Sequence, residues 1–383
     1  MKKLKNSCSY ELRRDNIKLC FVGTSSVHVL RWIKYFAEKG HVISLITLSD
    51  IKPFNGIRVF NLEPYDFFHP KNVIKVCQLI YRIKKLIKEI KPDIIHVHQI
   101  SSLAYIIPFI NFHPYILSAW GSDILVRPNE KKRYSLLASN AIIKADLLHC
   151  DGFKTYCALE KLGGSSQKIV KVYYGTNIDN FNPQKWSNEL RNHLGIESSI
   201  MVISTRNLMP IYNIETLIRA IPKVLEIHPY VKFIIVGSGP ENETLQKLAN
   251  DLCVSTNTIF TGRLSESETP HYYASADIYV STSLSDAGLA ASTAEAMACG
   301  LPVIVTEDPD NRDWIKDGIN GFIIPVKKPD ILAKRIIELI NNNKLRKEMG
   351  RRNREIIIDK NNYLTEMGKM EIIYKNTVQL VKK

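Results

Sequence analysis

Ser281-Thr-Ser-Leu-Ser-Asp-Ala-Gly-Leu-Ala-Ala-Ser-Thr-Ala-Glu-Ala-Met-Ala-Cys-Gly-Leu-Pro-Val303 decides how the chain is read. An apolar run ends at Ser281, a loop of small residues follows, and an Ala-rich run then reads as helix up to Gly300. Pro302 opens the next apolar run. Strand, loop, helix and strand in this order form a βαβ unit with parallel strands. Small side chains let the loop's backbone N–H groups approach a ligand closely. The helix N-terminus behind them adds partial positive charge, so the segment is a seat for a diphosphate. Asp286 and Glu295 flank it as acceptors for ribose or sugar hydroxyls. A second reading stands beside this one: Ser292-Thr-Ala-Glu295 also spells a capping box. Gly300-Leu-Pro302 reads as a helix C-cap, not as a ligand loop.

The same alternation extends in both directions. Strands are expected at Lys18–Val22, Val42–Thr47, Ile94–Val97, Tyr115–Ser118 and Leu147–Cys150. A second series follows at Ile200–Ser204, Lys232–Val236, Thr258–Phe260, Ile278–Ser281, Pro302–Val305 and Gly321–Ile324. Two series on 383 residues suit two α/β lobes. The polar stretch Gly175–Trp186 is the expected joint. The domains expected are two Rossmann-like lobes, 1–183 and 184–365, with a C-terminal helix, 366–383, packing back on the first. Ligands in such lobes bind at the C-terminal ends of the strands. The fold class expected is therefore α/β, with two parallel sheets facing a central cleft.

Three other groups lie at strand ends. Arg206 follows Ile200–Ser204, where a guanidinium suits bidentate binding of diphosphate oxygens. Gly237-Ser-Gly239 starts a dinucleotide fingerprint, but position 242 is Asn, so a tight turn is the better reading. Asp308-Pro-Asp310 has the form of a metal-binding DxD; no metal is expected there, and no cofactor.

The seven cysteines are scattered and never in CxxC spacing, as expected of reduced thiols serving as small core residues. The basic start, Met1–Arg14, has no apolar run behind it, so no signal peptide is expected. Leu103–Ile110 is the most apolar stretch and falls far short of the roughly 20 residues a membrane span requires. A cytoplasmic protein is expected. Residues 1–185 hold 28 Lys and Arg against 14 Asp and Glu, whereas 186–383 hold 24 against 24. The whole excess of +14 thus sits in the first half and implies an anionic partner. Lys71–Lys91 reads as an amphipathic helix, with Ile74, Cys77, Ile80, Ile83 and Ile87 on one side and Lys75, Arg82, Lys84, Lys85 and Lys88 among them. It can pack with a solvated Lys face or lie on an anionic leaflet. A nucleic-acid binder is the non-enzymatic alternative, but no binding motif for one is found.

These residues, with Lys91-Pro-Asp-Ile-Ile-His-Val-His98, Gly175-Thr-Asn-Ile-Asp179, Phe181-Asn-Pro183, Phe260-Thr-Gly-Arg263 and Trp314-Ile-Lys-Asp-Gly-Ile-Asn-Gly-Phe322, resemble glycosyltransferase family 4. Its members are retaining enzymes of the GT-B architecture. The resemblance implies a nucleotide-diphosphate sugar as donor, a UDP-sugar first among them, and transfer of its sugar to a glycan or lipid-linked acceptor. It implies that Arg206 binds the diphosphate, Glu295 holds the ribose, and Gly262 and Arg263 border the base. Asp286 and the backbone of Gly288, Leu289 and Ala290 would engage the sugar and phosphates. The turn from Gly23 to His28 would close over the diphosphate and face the acceptor.

The chain departs from the family in three places. Where a Lys is usual after the Arg, the segment is Met209-Pro-Ile-Tyr-Asn213, with Tyr212 nearest that place. Eight residues separate Asp286 from Glu295 where the family has seven. The first-lobe His is replaced in Ala119-Trp-Gly-Ser-Asp123, so Trp120, Asp123 and His28 are the acceptor-side candidates. A peripheral enzyme on the inner face of the cell membrane, serving cell-surface polysaccharide or lipopolysaccharide synthesis, is the resulting expectation, with no nucleic acid as partner. A GT-B epimerase or hydrolase is the alternative enzyme.

Overall fold

The computed structural model describes residues 16–54, 56–63, 72–196 and 199–381. Their strands are β1 (Lys18–Val22), β2 (Val42–Thr47), β3 (Arg58–Asn61), β4 (Ile94–His98), β5 (Tyr115–Ser118), β6 (Leu147–Cys150) and β7 (Ile169–Lys171) in one sheet. The other holds β8 (Met201–Ser204), β9 (Lys232–Val236), β10 (Thr258–Gly262), β11 (Ile278–Ser281), β12 (Val303–Thr306) and β13 (Gly321–Ile324). The orders are β3-β2-β1-β4-β5-β6-β7 and β10-β9-β8-β11-β12-β13. The pairings of β1 with β2 and β4, and of β8 with β9 and β11, are all parallel. Each sheet therefore runs outward from its first strand, returns, and continues on the other side, which is the Rossmann order. The reversal lies between β1 and β4 in one sheet and between β8 and β11 in the other. Crevices at such points are where α/β sheets bind ligands.

By contacts the chain forms two compact units. One comprises the described residues of Met1–Ser118, Leu136–Leu148 and Glu371–Lys383; the other comprises Ala119–Ser135 and the described residues of His149–Met370. In the first unit, Val29, Trp32, Ile33 and Phe36 recur at helical spacing on the helix Val27–Glu38 and are all buried. Tyr374 enters the same core, its ring 5.1 Å from that of Phe36 and its hydroxyl in a short contact with His96.

In the second unit, alternation along β8 sends Val202 to one face and Met201 and Ile203 to the other. The helix Ile214–Leu225 packs Leu217, Ile218, Ile221 and Val224 on the first face, with Phe233 and Ile235. The helix Ala291–Ala298 packs Ala294 and Met297 on the second, where its small residues let it press close to the sheet.

Edge strands β3 and β7 were not expected from sequence; both are half-exposed and carry Arg or Lys, which hides the apolar run. The basic helix spans Val73–Ile90, and its buried face keeps Ile83 and Ile87 of the side read from sequence but not its first two members. Leu79, Ile83, Ile87 and Ile90 face inward, whereas Ile74 is 72% exposed and Cys77 is at the surface. Lys71 lies outside the described residues. Cys157 and Cys253 are also exposed, so only Cys20, Cys150 and Cys299 serve as core residues; Cys8 lies outside the described residues. Leu103 to Ile107 are buried in the first unit as a short helix and the turn that follows. Among the described residues no helix is long and apolar enough to cross a membrane.

Candidate functional site

The reversal point of the second sheet gathers the chemistry. Arg206 stands just beyond β8, and Ser283 to Asp286 stand just beyond the neighbouring β11. The Arg206 segment is set by two glycines. A Cβ on Gly237 would lie 2.3 Å from the Arg206 carbonyl oxygen, and one on Gly239 would lie 2.2 Å from that of Leu208. Leu208 N donates to the Ser238 carbonyl at 3.0 Å, so this Gly-Ser-Gly is a tight packing turn, as its incomplete fingerprint indicated.

Arg206 is 9% exposed. Its guanidinium donates to the hydroxyls of Ser292 and Ser283, each at 3.0 Å, and to the Asp286 carboxylate in a short contact. The Tyr212 ring lies 4.2 Å from the guanidinium carbon, so the residue nearest the missing Lys acts as a cation–π platform. Burial disfavours the charge on Arg206. Asp286, then Tyr279 and Tyr212, outweigh it and hold the group above its usual pKa.

The capping-box reading of Ser292 is overturned. Ala290 is the N-cap of the helix Ala291–Ala298, which places Ser292 inside its first turn. Its hydroxyl accepts from Arg206 and, at 2.8 Å, from the Tyr279 hydroxyl. Gly300 does end the helix, at φ 76°, with Leu301 N donating to the Ala296 carbonyl at 3.1 Å. Glu295 is half-buried on the second turn. After burial itself, its charge is the largest cause raising the pKa of the Tyr273 hydroxyl and the Cys299 thiol.

The loop from Ser285 to Gly288 is held by Lys154, which has no obvious signal in the sequence, and by the DxD pair. Lys154 Nζ donates to Ser285 Oγ at 2.6 Å, to the Asp286 carbonyl at 2.7 Å and to Asp308 Oδ2 at 2.7 Å. Asp310 Oδ2 accepts from Gly288 N at 2.9 Å, and its Oδ1 accepts from Phe153 N at 2.6 Å. The DxD carboxylates are thus spent on an ammonium and backbone donors. The Gly288 N–H, assigned by resemblance to the donor, here donates to Asp310. Leu289 is half-buried and Ala290 buried beside it.

Two further turns touch this loop. A Cβ on Gly152 would sit 2.6 Å from Gly288 N, and one on Gly121 would sit 2.9 Å from the Ala287 Cβ. Beside Gly121, Asp123 accepts from the backbone N–H groups of Trp120 and Gly121, at 3.0 and 2.7 Å, and so organises the turn. The Trp120 ring lies 5.6 Å from that of Tyr174. Asp151 is buried against Gly288, and its Oδ1 has no hydrogen-bond partner. Burial, then the nearby Asp310, raises its pKa well above the carboxylate range.

The remaining candidates follow β10 and β1. Gly262 ends β10, its carbonyl accepting from Gly237 N at 2.9 Å, and Arg263 beyond it is exposed. Gly23 and His28 belong to the first unit. Gly23 follows β1, where a Cβ would meet His98 at 3.1 Å. His28 is half-buried, with its pKa lowered by burial and then by Arg31.

Sequence models of two families match the chain: "Glycosyl transferases group 1" over residues 187–356 and "Glycosyl transferase 4-like" over residues 18–152. Among curated proteins, the chain is 28% identical over 203 residues to the GDP-mannose-dependent alpha-(1-6)-phosphatidylinositol monomannoside mannosyltransferase of Mycolicibacterium smegmatis. That match covers 51% of this chain and 53% of the relative, so the chain spans only about half the relative's length. An uncharacterised glycosyltransferase of Methanocaldococcus jannaschii is 25% identical over 331 residues, covering 82% of this chain and 84% of that one. Among solved structures, Anabaena HepE in complex with UDP superposes with a TM-score of 0.80 at 18% identity, covering 94% of this chain and all of that one (100%). WaaG, a glycosyltransferase involved in lipopolysaccharide biosynthesis, gives 0.72 at 15% identity, covering 93% and 99%. At such identities the solved structures establish a shared fold.

Proposed function

The chain belongs to the group 1, family 4-like glycosyltransferases of the GT-B fold, and from that premise we propose that it transfers a sugar from a nucleotide-diphosphate donor to a glycan or lipid-linked acceptor. The observation that carries this reading is Arg206. It is a buried guanidinium at the reversal point of a Rossmann sheet, beside a small-residue loop and a helix N-terminus. In this reading Arg206 binds the diphosphate, Asp286, Gly288, Leu289 and Ala290 line the sugar end, and Glu295 holds the ribose. Gly262 and Arg263 border the base, with Tyr212 stacked on Arg206. Gly23, His28, Trp120 and Asp123 serve the acceptor side. Residues 184–365 would then be the donor domain and 1–183 the acceptor domain, with 366–383 returning to the latter.

The reaction proposed is retaining. A double displacement requires a carboxylate nucleophile about 5–5.5 Å from its partner acid. Asp286 is engaged with Arg206 instead, which favours front-face substitution. The bond from the anomeric carbon to the diphosphate oxygen breaks, and the diphosphate leaves with the electron pair. Its oxygen takes the acceptor hydroxyl's proton as the new carbon–oxygen bond forms on the same face. Arg206 and the helix N-terminus stabilise the charge growing on the leaving group. Because Asp308 and Asp310 are spent on Lys154 and backbone N–H groups, the proposed reaction uses no metal or other cofactor.

A UDP-sugar is the first donor to test, since HepE is similar in fold and was solved with UDP; GDP-mannose is the second, given the mannosyltransferase relative. A thermal-shift screen against UDP, GDP, ADP and their sugars decides, because a ligand of the folded state raises the midpoint. No shift with any of them would sink the reading. Donor turnover without acceptor would favour a hydrolase or epimerase.

The likeness to WaaG supports a place in lipopolysaccharide or other cell-surface polysaccharide synthesis. The helix Val73–Ile90 exposes Val73, Ile74 and Tyr81 together with Lys75, Arg82, Lys84, Lys85 and Lys88. This supports peripheral binding to an anionic inner membrane face, with no nucleic acid as partner. Flotation with anionic and neutral liposomes tests it, and equal recovery from both would count against it.

A further inference from the structure

The loop between β11 and the helix Ala291–Ala298 has few side chains with which to hold itself, because Ala287, Gly288 and Ala290 follow Asp286 directly or nearly so. Its backbone is fixed from other parts of the second unit. Lys154 has three N–H donors and three acceptors within 2.7 Å: Ser285 Oγ, the Asp286 carbonyl and Asp308 Oδ2. The ion pair is shielded, with Lys154 21% and Asp308 7% exposed. Asp308 also caps its own turn, accepting from Asp310 N at 3.0 Å, and Asp310 reaches Gly288 N. The loop is therefore gripped on both sides of Ala287.

Asp286 is the point where two cations meet. Its carboxylate lies on Arg206 and its carbonyl on Lys154. These holds are separable, since Arg206 is fixed by the Gly237 turn and the two serines, whereas Lys154 holds Ser285, the Asp286 carbonyl and Asp308.

We infer that Lys154 is a positioning residue for the sugar end of the donor, aiming Asp286 and Gly288 without itself holding the diphosphate. The inference rests on the nucleotide-sugar reading above. Loosening the loop at Ser285 and Asp286 leaves the Arg206 guanidinium in place. Removal of Lys154 then weakens recognition of the sugar and spares the nucleoside diphosphate. A Lys that merely stabilised the fold would lower both affinities together, or neither.

The test is titration calorimetry with UDP, UDP-glucose, GDP and GDP-mannose on the full chain and two variants. Lys154→Met leaves Asp308 as a shielded, unpaired charge, which by itself destabilises. Lys154→Met/Asp308→Asn removes that charge and leaves Ser285 and the Asp286 carbonyl without their Lys154 bonds. For whichever nucleotide the parent binds, both variants are expected to keep its Kd within about threefold. Both should lose on the order of tenfold for the matching sugar nucleotide, the scale of a charge-assisted hydrogen bond. If the double variant regains the parent's preference for the sugar nucleotide, the positioning role is overturned while the donor reading stands. A parent that binds none of the four overturns the donor reading, and this role with it.

Discussion

The guanidinium of Arg206 and the carboxylate of Asp286 form an ion pair in which the two side chains are only 9% and 8% exposed. A donor diphosphate bound by Arg206 must share that guanidinium with an anion already on it. Asp286→Asn removes the competing charge. UDP or GDP should then bind more tightly by about 1 kcal/mol, roughly fivefold in Kd. Sugar nucleotides should gain less, because the sugar loses an acceptor. Calorimetry on both ligand types measures the split, and unchanged or weaker diphosphate binding would show that the two anions do not compete.

Arg206→Ala should lower turnover at least about a hundredfold, the cost of losing a single electrostatic donor at a developing charge. Arg206→Lys should not restore it, since a single ammonium nitrogen lacks the planar fork that reaches Ser292 from one nitrogen and Ser283 and Asp286 from the other. Initial rates at saturating donor check this. A near-normal rate in Arg206→Ala would remove the leaving-group role.

Gly152→Ala tests the close approach of two backbones. Gly152 has an ordinary extended φ of −143°, so the added methyl group strains no dihedral; it meets Gly288 N at 2.6 Å and Gly288 Cα at 2.7 Å. The loop must move. A loss of about 1–3 kcal/mol of stability, typical of overpacking, should accompany loss of sugar-nucleotide binding. Urea denaturation and calorimetry read the two effects.

His149 gives an acid limit. It is buried, its Nε2 lies 2.8 Å from the Val172 carbonyl, and burial pushes its pKa down to about 4 despite that bond. The unfolded chain takes up this proton near pH 6.5, well before the folded one does. Stability from this group is complete above that value and is lost as pH falls towards 4, by about 3 kcal/mol in all. His149→Gln should flatten the decline of the thermal midpoint between pH 7 and 4.5.

Asp151 tilts the other way. Its pKa is raised by burial and by Asp310, so the folded chain holds a proton that the unfolded chain releases near pH 3.9. Stability therefore falls as pH rises above that value. Asp151→Asn, of nearly the same shape, should raise the midpoint at pH 8 and change it little at pH 4. An equal change at both would mean that the carboxyl is already ionised.

Most strands were legible because their Val and Ile runs are buried on both faces, and β1, β2, β5, β6, β9, β11 and β13 match the expected ends. The half-exposed edge strands β3 and β7 carry no such buried run, which hid them. In the helix Val73–Ile90 periodicity finds Ile83 and Ile87 but also assigns Ile74 and Cys77 to a core, although the start of the helix is exposed. At the site, Arg206 and Asp286 could be named one by one from their places after strands, but not their pairing. Ser292 fitted a local capping rule and serves a tertiary contact instead. Lys154 offered no signal at all, since its position beside Asp286 depends on segments 132 residues apart.

That separation also sets an order of events during synthesis. Phe153 N donates to the Asp310 carboxylate across 157 positions of sequence. When Asp286 and the helix behind it leave the ribosome, Lys154 has long been available, but Asp308 and Asp310 have yet to follow. A nascent chain stalled after Gly300 would carry Arg206, Asp286 and Glu295 and still lack the anchor for Gly288. The site is thus completed only when a short acidic turn arrives, and a truncated product would hold its named residues without their arrangement.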